Sequence, residues 1–390
     1  MRIAILGTRG IPASYGGFET FAEELSRRLV ERGHRVTVYC REKSPSPYLG
    51  VDLAYLPTIR HKYFDTIVHT FLSTFHLLLH RQDVALYCNA ANAVFTWMPR
   101  LLGIPVALNV DGLERKRKKW NAVARGWYRL SEWLATFCPT AVVSDARNIA
   151  EYYQAAYGKE TTFIAYGAEL GKLQSIEALQ KLGLEPGEYF LYVSRLEPEN
   201  NALMVRKAFE RLATTKKLAI IGDAPYANEY IRRLRDTRDP RIVMPGGVYG
   251  IGYRELQSHC FAYVHATEVG GTHPALLEAM GFGNCVLTLA APENIEAVGD
   301  AGIAYSDEKE LAEKLQRVLR DGSLVHSYRN RAQERVKERY DWNYVVDRYE
   351  DLFARMAGQP LPDRSSDLRT TITDTSKAHK EKTVSRSASA

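Results

Sequence analysis

Arg195 closes a short apolar run, Tyr189–Val193, and is followed by Leu196-Glu197-Pro198-Glu199-Asn200-Asn201. An arginine at the carboxyl end of a buried parallel strand points into a ligand crevice. Its guanidinium fork suits a diphosphate through paired hydrogen bonds. The plainer reading is a surface arginine paired with Glu197 or Glu199. Farther along, Gly270-Gly271-Thr272-His273-Pro274 leads into an apolar helical stretch that carries Glu278. Free N–H groups at a helix start, with no Cβ in the way, make Gly270, Gly271 and Thr272 a phosphate cradle. Glu278, amid Leu276, Leu277 and Met280, is costly to bury unless hydroxyl donors reach it, and a ribose diol supplies two. The alternative is an exposed first-turn glutamate that complements the helix dipole. Near the amino terminus Gly16 and Gly17 precede another helical pattern, where they either offer a second cradle or only shape a turn.

These groups need a frame. Residues 2–6, 35–40, 84–88, 105–110 and 140–144 read as buried strands alternating with helical patterns. The first of those helices carries Phe18, Phe21, Ala22, Leu25 and Leu29 on one face. The alternation restarts after about residue 187, with runs at 189–193, 218–221, 241–244, 261–265 and 285–289. The pattern predicts an α/β protein with two Rossmann-like halves joined by a linker. Residues 1–167 form the first half and 168–340 the second, with a linker over about 168–187. A helix over 341–357 carries Trp342, Tyr349 and Phe353. Residues 358–390 lack apolar periodicity and are expected to be a disordered tail.

The motifs resemble glycosyltransferase family 4, and within it a rhamnosyltransferase-like branch of cell-surface polysaccharide assembly. The resemblance rests on Gly7-Thr8-Arg9-Gly10-Ile11-Pro12-Ala13 with Gly16-Gly17-Phe18-Glu19-Thr20, on Asn109-Val110-Asp111-Gly112-Leu113-Glu114, on Arg195 with Pro198-Glu199-Asn200-Asn201, and on Gly270-Gly271-Thr272 with Leu277-Glu278-Ala279-Met280. It covers about residues 1–357. It implies a GT-B fold with a C-terminal crossing helix, and a nucleotide-sugar held mainly by the second half. By position it implies that Arg195 contacts the donor diphosphate and Glu278 the ribose. Gly16 and Gly17 approach the phosphates from the opposite domain, and Gly247 lies in the loop that reads the base. Two positions depart from the broad family: Asn200 stands where a lysine is usual, and Gly270 where a glutamate is usual. Glu268 lies two residues from that missing carboxylate. Asp111 stands where many relatives carry a histidine near the reacting sugar. It either orients or deprotonates the acceptor, or belongs to an Asp-Gly turn. Glu19 is a second candidate base or a first-turn dipole partner.

The resemblance further implies retention of configuration and a lipid-linked saccharide acceptor. Rhamnose from dTDP-rhamnose is one donor that fits, and a UDP-hexose is the alternative. No Asp-x-Asp occurs, which fits metal-independent activity, and no cofactor is implied. The run Arg115-Lys116-Arg117-Lys118-Lys119-Trp120 beside Trp127, Trp133 and Phe137 suits an anionic membrane surface, or is a solvated face. On the preceding helical pattern, Phe64, Phe71, Phe75 and Leu79 share one face, read as core or as a lipid groove. His69, His76 and His80 share the opposite, polar face.

Composition sets the bounds. The chain has 390 residues, a formal charge of +6 and 45% hydrophobic residues, enough apolar surface for two cores. Residues 115–119 alone carry five of those positive charges. Five scattered cysteines read as reduced thiols. The N-terminus enters a strand directly, so neither a signal peptide nor a membrane span is expected. The expected location is cytoplasmic, peripheral at the inner face of the membrane. A nucleotide-dependent oxidoreductase is disfavoured because the first loop lacks Gly-x-Gly-x-x-Gly, and a nucleic-acid binder because no such motif is present.

Overall fold

The computed structural model describes residues 1–14, 16–59, 61, 64–117, 120–224, 227–362 and 364. The expectation of a disordered tail therefore falls, for residues 363 and 365–390, outside the described residues, as do Lys118 and Lys119 of the basic run.

Apolar runs buried on both faces build two parallel sheets. The first contains β1 (Arg2–Leu6), β2 (Arg35–Cys40), β3 (Asp52–Tyr55), β4 (Val84–Cys88), β5 (Val106–Asn109), β6 (Ala141–Ser144) and β7 (Thr162–Phe163), in the order β3-β2-β1-β4-β5-β6-β7. At its centre Ile3 of β1 lies level with Val36 on one side and Val84 on the other. The second contains β8 (Tyr189–Val193), β9 (Lys217–Ile221), β10 (Ile242–Gly246), β11 (Ala262–His265), β12 (Val286–Leu289) and β13 (Gly302–Tyr305), ordered β10-β9-β8-β11-β12-β13. In each sheet the strand order reverses beside the first strand, which opens a crevice at the carboxyl ends.

Helices cover both sheets. Helix α1 (Gly17–Glu31) buries Phe21, Ala22, Leu25 and Leu29, the stripe its spacing predicts. The connecting stretch after residue 167 holds a short helix, Glu177–Lys181. The last helix, Trp342–Ala357, follows the second sheet in sequence yet packs on the first. Tyr349 Oη accepts from Asn109 Nδ2 at 3.1 Å, and His34 Nε2 lies 2.7 Å from Glu350 Oε1. It is the crossing helix.

Helix α2 (Asp65–Leu79) faces the other way from the usual amphipathic rule. Its buried residues are His69, Thr70, Ser73, Thr74 and Leu77. Phe71, Phe75 and Leu79 are exposed, Leu79 by 81%. The polar histidine face, not the apolar one, is the side that packs inward: His69 is buried, and burial pushes its pKa down to about 4. The polar stripe turns inward because tyrosines await it. Thr74 Oγ1 lies 2.9 Å from Tyr87 Oη, and His76 Nδ1 lies 3.1 Å from Tyr39 Oη.

Candidate active site

The carboxyl ends of the two sheets face each other across a cleft of about 1060 Å³. The loops after β1, β4 and β5 form one wall and those after β8, β9 and β11 the other. Two helix starts meet there. A Cβ added to Gly17, the first residue of α1, would lie 3.0 Å from the Pro274 ring, the first residue of the helix Pro274–Gly281. Their positive dipole ends thus converge. Gly16 also lines the cleft, and Glu19 beside it is buried, accepting the Arg9 N–H at 2.8 Å.

The glycine-rich loop before Pro274 does a different job from the one its sequence suggests. Gly270 and Thr272 line the cleft, but the Thr272 N–H donates to Asp145 Oδ2 at 2.8 Å. A Cβ on Gly271 would sit 2.2 Å from both Asp145 carboxyl oxygens, and one on Gly112 would sit 2.1 Å from the Gly270 carbonyl carbon. Gly271 and Gly112 are therefore sites of close approach between the two domains, and the Thr272 N–H is already occupied. Glu268, two residues from Gly270 in sequence, accepts from Asn201 Nδ2 at 3.0 Å.

On the second wall, the half-buried Arg195 follows β8 and lines the cleft. Its backbone is fixed: its carbonyl accepts from Asn200 Nδ2 at 2.5 Å, Ser194 Oγ at 2.9 Å and the Glu197 N–H at 2.8 Å. Asn200 also lines the cleft, so it positions Arg195 where a lysine would add charge. Gly247 lies at the far end, beside Tyr249. Glu278, one turn into its helix, accepts from Tyr253 Oη at 2.5 Å. Burial pushes the Glu278 carboxyl up to about 7 despite that bond. Glu24 and Glu169 raise it further, and Arg254 opposes them. A carboxylate that accepts ribose hydroxyls must be ionised. Donor affinity should therefore rise about tenfold per pH unit up to roughly pH 7 and level off above it. In Glu278→Gln that dependence should vanish, as calorimetry across pH 5.5–8.5 would report.

Asp111 ends the β5 run and lines the cleft with φ of 54°, a left-handed conformation uncommon outside glycine. Asp145 ends the neighbouring β6 run. Burial raises both carboxyls, Asp145 well above the usual carboxylate range with the Asp111 charge adding to it, and Asp111 with the Glu114 charge adding. The Asp111 charge thus makes ionisation of Asp145 harder. His265 and His273 also line the cleft with rings 4.8 Å apart, and burial keeps both imidazoles neutral near pH 7. Sequence reasoning did not single out Asp145 or His265. The residue following each parallel strand was the signal available for Asp145, as it was for Asp111.

The basic run does not form the exposed strip expected of it. Arg115 turns inward to Glu132, 3.1 Å from its carboxylate, and to Tyr152 Oη at 2.9 Å. Arg117 is 4% exposed, lines the cleft and donates from Nε to Glu114 Oε1 at 2.5 Å. Lys116 stays exposed, and Trp120 is half-buried on the cleft wall. A carboxylate within reach of each arginine, at Glu132 and Glu114, draws the alternate residues inward.

The model of the family described as "Glycosyltransferase Family 4" matches residues 15–169, and that described as "Glycosyl transferases group 1" matches residues 187–321. A Campylobacter jejuni protein, the N-acetylgalactosamine-N,N'-diacetylbacillosaminyl-diphospho-undecaprenol 4-alpha-N-acetylgalactosaminyltransferase, is 24% identical over 166 residues. That match spans 41% of this chain and 45% of the relative, less than half its length. Among solved structures, Anabaena Alr3699/HepE in complex with UDP and glucose superposes with a TM-score of 0.75 at 17% identity, covering 91% of this chain and 100% of that one. Sucrose-phosphate synthase from Thermosynechococcus elongatus superposes with a TM-score of 0.72 at 18% identity, covering 91% and 98%. The two parallel sheets, the crossing helix and the paired family matches agree: the chain has the GT-B fold, its first domain matching glycosyltransferase family 4 and its second the group 1 glycosyl transferases.

Proposed function

We propose that this protein transfers a sugar from a nucleoside-diphosphate donor to a lipid-linked saccharide in polysaccharide assembly, with rhamnose from dTDP-rhamnose as the first donor to test. The observation that carries the reading is the convergence of Arg195 and two helix starts on one cleft that also holds Glu278 and Asp111. Cleavage of the bond between the anomeric carbon and the phosphate oxygen leaves its electron pair on the diphosphate. The acceptor hydroxyl oxygen bonds to the anomeric carbon from the same face, retaining configuration, and its proton passes to the departing phosphate oxygen. Arg195 and the helix N–H groups neutralise the growing negative charge, a task they perform here without a metal. Gly16, Gly17, Gly270 and Asn200 shape that phosphate site, Gly247 sits against the base, and Glu278 holds the ribose. Asp111, on the first wall of the cleft, orients the acceptor hydroxyl. Thermal unfolding tests the reading. At a hundred times Kd a ligand adds about 2.7 kcal/mol, so dTDP should raise the melting temperature by more than UDP and NAD should leave it unchanged. A larger rise with UDP would assign a UDP-hexose donor, and no rise with either would refute the reading.

The exposed aromatic stripe of α2 supports peripheral association with the inner face of the membrane. Phe71, Phe75 and Leu79 are joined by Leu101 and Leu102 of α3 (Trp97–Leu101) and its cap, and by Val123, Leu130, Trp133 and Phe137 on or beside α4 (Ala122–Ala135), all exposed. Helices α2, α3 and α4 all pack around the turn Ala90–Phe95. Exposed Arg125 and Arg129 lie on α4. An apolar face rimmed by cations suits anionic lipid. The name of the Campylobacter relative, which includes a diphospho-undecaprenol, agrees with an acceptor held there. Among the described residues no helix is long and apolar enough to cross a membrane. Phe75→Ser with Leu79→Ser should reduce sedimentation with anionic vesicles about tenfold, and unchanged sedimentation would refute this placement.

A further inference from the structure

We propose that Arg117 is a diphosphate-binding residue, facing Arg195 across the cleft so that one bound anion ties the two domains together. The inference rests on the nucleotide-sugar reading above. Arg117 stands just after the turn Glu114–Lys116 on the first domain, and Arg195 just after β8 on the second. Both line the same cleft. The Arg117 Nε is satisfied by Glu114, but its Nη1 finds no hydrogen-bond partner among the described residues. The Glu199 carboxylate across the cleft lies 3.9 Å from it, beyond hydrogen-bonding distance. A guanidinium has five donors, and a buried one left partly unfilled is costly. Each arginine bears on the same neighbour, His273 at the start of the helix Pro274–Gly281, and each opposes the other's charge.

Two guanidinium groups and a helix start therefore converge from opposite domains. Their like charges repel; a group with two or more negative charges between them reverses the sign, and a diphosphate also fills the open fork. The other place for a second cation is position 200, where the Asn200 amide is spent on the Arg195 carbonyl. Arg117 thus supplies from the first domain the charge that the second lacks.

Calorimetry of dTDP and UDP against thymidine and uridine tests this with the full chain. Glu114→Gln with Arg117→Met removes the guanidinium together with the charge of the carboxylate that its Nε holds. Compared with Glu114→Gln alone, it should weaken diphosphate binding by about thirtyfold and nucleoside binding by less than about threefold. Adding Asn200→Lys should recover about tenfold for the diphosphate only. If Arg117 is only a structural ion pair, melting temperature falls while the diphosphate-to-nucleoside ratio stays constant, which would overturn the proposal. Should the double variant fail to fold, Arg117→Lys keeps the charge and loses the fork. A drop of about tenfold in that ratio is expected, and an unchanged ratio overturns it. If the unmodified protein binds neither nucleoside diphosphate, the donor reading itself fails. Diphosphate binding that is indifferent to Arg117 refutes the Arg117 assignment alone.

Discussion

Replacing Arg195 with Met reduces kcat/KM for sugar transfer about a thousandfold and removes the melting-temperature rise given by nucleoside diphosphate. Three hydrogen bonds, from Asn200, Ser194 and Glu197, hold the Arg195 carbonyl, so the main chain stays in place when the side chain changes. Met keeps an unbranched stem of similar reach, and the half-buried position removes little from the core. The guanidinium is what is lost. Donors aimed at charge that develops in the transition state are worth about 10²–10³ each, and Arg195 also holds the ground-state diphosphate. The fall should therefore appear in both kcat and KM while the circular dichroism spectrum stays unchanged. A loss of less than tenfold would mean that Arg195 is not at the leaving group.

Gly112→Ala should be nearly as damaging, for a reason unconnected with charge. Its Cβ would lie 2.1 Å from the Gly270 carbonyl carbon and 2.4 Å from the oxygen. Backbone cannot give way as the end of a side chain can, so the walls of the cleft must part. Arg195, Glu278 and Gly247 all lie on the second wall, so nucleoside binding should survive within a few-fold, while the diphosphate loses the reach of Arg117 from the first. The acceptor side, with Asp111 beside Gly112, is displaced. A misplacement of about 1 Å costs on the order of a hundredfold in rate. We expect kcat to fall by that factor at near-constant nucleoside affinity, with a larger radius of gyration in solution scattering. Unchanged turnover would show that the cleft does not work in this closed form.

The central strands were legible because a strand buried on both faces is written as an uninterrupted apolar run. Ile3–Leu6, Val84–Cys88 and Phe190–Tyr192 are each fully or almost fully buried. Three strands escaped, Asp52–Tyr55, Thr162–Phe163 and Gly302–Tyr305, and all three are sheet edges. Edge strands are short and half-solvated, so their sequences carry less apolar signal. Helix α2 misled for the opposite reason: its periodicity is genuine, but periodicity names two faces without saying which one is inside. Tyr39 and Tyr87 decide that, and they lie on other strands. The glycine-rich loop was recognisable as special, yet its glycines serve contact with Asp145 and Gly112, far away in sequence. The five-charge run was visible as charge, but Glu132 and Glu114 draw its two arginines into the first domain's interior and the cleft.

Much therefore turns on whether the cleft handles a nucleotide-sugar at all. The most direct measurement incubates the protein with membrane extract and a panel of radiolabelled donors, including dTDP-rhamnose and UDP-glucose, and follows label into the lipid fraction. The account predicts incorporation from one donor, rhamnose from dTDP-rhamnose first, abolished by Arg195→Met. Incorporation from none of the donors, or incorporation equal in the Arg195→Met variant, would contradict it.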